Sequence, residues 1–178
     1  MRLSIARIKG IGYIMWHARH QAVHISFGLL WAWVLREIWH EFNATWIFVS
    51  ILGSEIPDTD TLFYIFLYGR KEPLAIETKK FLKNHEWRAA AVFYSKEHKY
   101  NTNLMYHNYY FILFLFILAI ISIIINWNIG IIFFGAMIIH YIIDITDDLI
   151  VLGKVNTNWK RWGKPKNKLN PDYSSVKR

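Results

Sequence analysis

From Phe111 to Ile143 the chain carries no Asp, Glu, Lys or Arg, and a short break stands at Asn126, Trp127 and Asn128. That break divides the run into two apolar halves, 111–125 and 129–143. A bilayer core about 30 Å thick needs roughly 20 helical residues at ~1.5 Å each, and each half reaches that length once its flanks are counted. Such a pair predicts membrane-embedded helices and excludes an ordinary water-soluble surface at these positions.

Two earlier apolar segments can be placed from this pair. The first covers 23–39, with Arg36 and Glu37 near its far end; the second covers 45–68 and is interrupted by GSEIPDTD. Pro57 within that interruption lacks a backbone donor, so the second segment is expected to be a broken helix packed on protein or lining a polar cavity. Residues 70–105 form a charged insert with eight basic side chains against four Glu. Its apolar positions Leu74, Phe81, Leu82, Trp87, Val92 and Phe93 predict one or two helices lying on the membrane face. The expected fold is therefore all-α: a polytopic membrane bundle of about four embedded helices, with a broken second helix and a cytoplasmic helical insert. Residues 1–154 read as one membrane helical domain and 155–178 as a basic tail.

Charge orients the bundle. Four crossings put the N-terminus, the insert and the tail on one side, and those segments hold 20 of the 21 Lys and Arg. The positive-inside rule then predicts a multi-pass protein of the inner cell membrane with both termini cytoplasmic. The net charge of +8 follows from topology and argues for anionic lipid headgroups, with no nucleic acid as partner. Arg7, Lys9 and Arg19 interrupt the first twenty residues, so this stretch reads as an interfacial lead-in with Tyr13 and Trp16 at headgroup level. The sequon Asn43-Ala44-Thr45 lies too close to the membrane to be more than accidental.

Ionisable residues inside spans cost ~2.5–3.5 kcal/mol each at the centre, which marks them as functional candidates. His24 stands at the start of the first segment, on one helical face with His17 and His20. Asp58 and Asp60 follow Glu55 in the broken segment, His107 opens the third helix, and His140 and Asp144 are four apart in the fourth. All fall toward the cytoplasmic half of the bundle. The chain has no cysteine, so a metal here would need imidazole and carboxylate ligands, a set suited to zinc, manganese or iron. Blander readings compete: Asp58 or Asp60 as a helix cap, His107 as an interfacial residue, and His140 with Asp144 as a packing pair. Asp147 and Asp148 read as a solvated helix end.

In order and spacing, residues 20–150 resemble the membrane-bound metal-dependent hydrolases, bacterial and archaeal inner-membrane proteins of which some bacterial members are described as LexA-regulated. AVHISFGLL is similar to that family's first element through His24, ILGSEIPDTD to its Pro-Asp-x-Asp motif through Asp58 and Asp60, and GAMIIHYIIDIT to its last element through His140 and Asp144. LMYHNYYFILF supplies His107 for the second His of HRGxTHS, but Thr102 stands where the first would be and the Arg-Gly pair is absent. His98 is the nearest substitute. The resemblance implies a hydrolase with one or two divalent ions, zinc first, held by His24, Asp58, Asp60, His107, His140 and Asp144. Glu55 or Asp60 would then be the general base, and the substrate a phosphate ester or lipid-linked molecule near the cytoplasmic leaflet. The alternative is a non-catalytic accessory or structural subunit of a larger membrane complex. A small transporter or proton relay is weaker, since four helices leave little room for alternating access.

Overall fold

The computed structural model describes residues 11–101 and 104–160, with side chains resolved from residue 18 onward and at most positions thereafter. The expectations for residues 1–10, Thr102 and the tail beyond 160 fall outside these residues, as do those for the side chains of Tyr13, Trp16, His17 and His98. Among the described residues every regular element is helical.

α1 (Ile11–Trp39) is a single unbroken helix. It has no proline, and it ends where His40 turns into the left-handed region at φ 54°. A short connection leads to α2 (Ala44–Glu55), whose N-terminus is capped by Asn43: its side-chain oxygen accepts from the Thr45 amide at 2.9 Å. The sequon therefore has a structural explanation, as a helix cap.

The expected break in the second segment is present, and it is a change of helix type within a continuous helical stretch. Pro57 cannot donate to the carbonyl one turn back, and the chain tightens into a 3-10 turn at Ile56–Asp58. It then resumes as α3 (Thr59–Phe63) and widens into a π-helical turn at Tyr64–Tyr68. The insert contains two helices, α4 (Pro73–Lys83) and α5 (Trp87–Asn101). Pro73 starts α4 at a position where its missing N–H costs nothing. Leu74, Ala75, Phe93 and Leu104 pack on Tyr64 and Ile65 of the π turn. Burying Leu74 and Phe93 stabilises this layer by about 1.5–3 kcal/mol each.

Asn108 caps α6 (Tyr109–Ile124) by accepting from the Phe111 amide at 3.0 Å, and its own amide donates to the Met105 carbonyl at 2.6 Å. His107 thus stands just ahead of α6, in the loop that feeds it. A turn with Asn126 at φ 54° leads to α7 (Asn128–Leu152), which Gly153 closes in the left-handed conformation. α1, α2 and α7 pack on one another, and α6 packs on α7.

α7 contains a stretch, Asn128–Ile150, long and apolar enough to cross a membrane. α6 is apolar throughout but shorter, at 16 residues. Large apolar side chains stand exposed along the outer faces, among them Phe27, Trp33, Phe48, Phe114, Ile120 and Ile124.

Candidate metal centre

Small residues bring the helices together one turn away from the polar ones. A Cβ on Gly28 would meet the Ser54 Oγ at 2.0 Å, and one on Gly53 would stand 2.7 Å from the Phe133 carbonyl oxygen and 3.0 Å from the Ala136 Cβ. α1 and α7 therefore both lie against α2 at backbone distance, as small-residue helix contacts allow. His24 is four residues before Gly28, Asp58 four after Ser54, and His140 four after Ala136. The contacts align these three side chains in one layer, and Asp144 lies a further turn along α7.

Within that layer the donor atoms converge. His140 Nε2 lies 3.2 Å from Asp144 Oδ2 and 3.7 Å from Asp58 Oδ1, and His107 Nε2 lies 3.6 Å from Asp144 Oδ2. His24 Nε2 is 3.4 Å from Asp144 Oδ1, and the His24 ring stacks on His140 with centroids 3.9 Å apart. His24 and His140 are almost fully buried. Two groups of three, Asp58–His107–His140 and His20–His24–Asp144, each have their ligand atoms within 4.8 Å of one another.

Outer contacts aim these groups. His140 Nδ1 lies 2.6 Å from the Ser54 carbonyl, an acceptor that requires the proton on Nδ1 and turns Nε2 toward the carboxylates. That Nε2 is buried, with Asp144 and Asp58 its facing groups. Gln21 Nε2 donates to Asp58 Oδ2 at 3.1 Å, which leaves Oδ1 to face His140. Asp60 is fully buried and accepts from the Tyr106 amide at 2.8 Å, from the Tyr68 hydroxyl, and from His107 Nδ1 at 3.2 Å. Burial pushes the His107 imidazole down, but hydrogen bonds to Asp144 and Asp60 outweigh it and hold the group up at about 9.

Of the residues expected at the site, His24, Asp58, His107, His140 and Asp144 meet with ligand atoms facing inward. Asp60 joins them through His107, as the group that orients it. Glu55 stands a turn before Asp58, with Oε1 buried and without a hydrogen-bond partner. Neither Asp58 nor Asp60 caps a helix with its side chain, so the capping alternative falls.

Asp148 corrects an expectation. It is buried, not solvated, and accepts from the Trp159 indole N–H at 2.9 Å. Trp159 is itself buried against Tyr141 and Met137, so the start of the tail folds back onto α7. Sequence reasoning placed His20 beside His24 on one face without assigning it to the site. It did not find Gln21, Tyr68 or the Ser54 carbonyl, because single polar residues and backbone atoms leave no periodic signal. Compared with family models, curated proteins and solved structures, the chain matches none.

Proposed function

We propose that the protein is a multi-pass membrane hydrolase of the inner cell membrane that uses a divalent ion, zinc before manganese or iron, held by Asp58, His107, His140 and Asp144. The observation that carries this reading is the convergence of ligand atoms of Asp58, His107 and His140 within 4.8 Å of one another, with Asp144 Oδ2 3.2 Å from His140 Nε2. Carboxylates held away from water are costly unless compensated, and a cation here would offset the charge of Asp58 and Asp144. When bound, such an ion supplies Lewis acidity and lowers the pKa of water to about 7.

The remaining roles belong to the chain. Asp60 fixes the His107 ring and Ser54 the His140 ring, so that both present Nε2. Glu55, with a free buried oxygen beside this layer, is placed to take a proton. An apolar cavity of about 330 Å³ adjoins the layer, lined by Ile56, Pro57, Phe63, Phe111, Met137 and Tyr141 among others. Tyr141, which lines the cavity, packs edge-on to His107 and His140 with ring centroids 5.3 and 5.5 Å apart, so the cavity supports a lipid-linked phosphate or ester as substrate, its chain in the cavity and its headgroup toward the ion. The basic insert would draw an anionic headgroup to that side.

The exposed apolar faces of α1, α2, α6 and α7 support four crossings, with both termini and the insert in the cytoplasm by the charge rule. The test is elemental analysis of the detergent-purified protein, followed by hydrolysis of lipid phosphates in mixed micelles. At least one tightly bound ion is expected, lost together with turnover in His140→Ala and Asp58→Ala. A wild-type protein without stoichiometric metal overturns the reading.

A further inference from the structure

A second group of donors lies on the other side of Asp144. His20 and His24, one turn apart on α1, face each other through their Nε2 atoms at 3.2 Å, and the His24 Nε2 is 3.4 Å from Asp144 Oδ1. The three ligand atoms lie within 4.8 Å of one another. A single proton on His24 Nε2 can satisfy only one of its two neighbours, which leaves the other pair facing without a donor between them.

The spacing has a chemical meaning. Zinc bonds to imidazole nitrogen and carboxylate oxygen are ~2.0–2.2 Å, so tetrahedral ligands stand roughly 3.3–3.6 Å apart. Ordinary hydrogen bonds to nitrogen are about 2.7–3.2 Å. The separations of 3.2 and 3.4 Å around His24, like those of 3.2, 3.6 and 3.7 Å around His140, span the edge of a coordination tetrahedron. Asp144 meets the first group through Oδ1 and the second through Oδ2.

We propose that the centre is built for two divalent ions, the second held by His20, His24 and Asp144 Oδ1, with the Asp144 carboxylate bridging it to the ion on Asp58, His107 and His140. This rests on the reading of the latter group as a metal site. Bridged pairs of this kind lie about 3.5–4 Å apart and can clamp both oxygens of a phosphoryl displacement, which fits a phosphate ester as substrate. His20 is exposed while His24 is buried, so the second ion sits on the more open side and exchanges faster.

The test is metal stoichiometry with a spectroscopic check. The apoprotein in detergent micelles is titrated with zinc and, separately, with manganese followed by electron paramagnetic resonance. Two ions per chain are expected, with manganese passing from a six-line signal at one equivalent to a spin-coupled signal at two. His20→Asn should bind one ion with affinity within a few-fold of the tighter wild-type site and never show the coupled signal. Saturation of the wild type at one ion, or His20→Asn binding two, overturns the proposal and leaves the single-ion reading intact. A wild type that binds none overturns both. The manganese signal of the intact protein decides the matter even if the variant fails to fold.

Discussion

Replacing Gly53 by Ala tests the contact on which the layer depends. The new Cβ would stand 2.7 Å from the Phe133 carbonyl oxygen, a backbone atom of α7 that no rotamer change can move. Restoring a van der Waals distance requires α2 and α7 to part by roughly 0.5–1 Å. Overpacking of this kind costs ~1–3 kcal/mol, while exchanging Gly for Ala in a helix returns about 1 kcal/mol. The clash outweighs the gain in helix propensity, so a net loss of about 1 kcal/mol is expected. His140 is about two turns beyond Phe133 on α7 and Asp58 a little over a turn beyond Gly53 in the chain, so the same opening widens their 3.7 Å separation. Metal affinity should then fall ~10–100-fold, as when an outer-shell partner is lost. Unfolding in mixed detergent micelles measures the first effect and zinc competition titration the second. A variant that gains about 1 kcal/mol and keeps its affinity would show that propensity alone operates at Gly53, and that helix contact there does not set the layer.

Three further outcomes follow from the same geometry. Asp60→Asn keeps an acceptor for the Tyr106 amide but loses the charge that orients His107, so zinc affinity should drop ~10–100-fold with the fold retained by circular dichroism. The His107 group is held up at about 9 against an ordinary ~6.5, so its ion pairs stabilise the apoprotein fully below pH 6.5 and fade as pH rises through 9. Apoprotein melting should therefore fall between pH 7 and 9.5, and His107→Asn should flatten that dependence; an unchanged slope in the variant counts against it. Asn108→Ala removes the α6 cap and the bond to Met105, which should cost about 1–2 kcal/mol in micelle unfolding and speed proteolysis of the loop ahead of α6.

Much of this arrangement was legible in the sequence because it rests on periodicity and cost. Uncharged runs predicted α6 and α7, Pro57 predicted the break after α2, and the insert's apolar spacing predicted one or two helices where α4 and α5 stand. His24, Asp58, Asp60, His107, His140 and Asp144 stood out because polar groups are expensive in apolar segments, and in the structure they meet. What stayed hidden depends on three-dimensional approach. Gly28 and Gly53 look like ordinary helix residues until α1 and α7 close on them. Asp148 appeared solvated because nothing in the pattern announces that Trp159 returns to cover it. Asp60 was read as a ligand, whereas its oxygens are taken up by Tyr68, Tyr106 and His107.

Asp60 therefore joins three parts of the chain that lie far apart in sequence: the start of α3, the end of the π turn and the loop ahead of α6. In genetic language these positions are epistatic. A change at Tyr68 or His107 leaves a buried carboxylate short of a donor, and a change at Asp60 leaves up to three donors without their acceptor, so single substitutions should be worse than their combinations. A lineage carrying a different residue at Asp60 would be expected to carry altered partners at Tyr68 and His107 as well, and the three would drift as a unit or stay as they are.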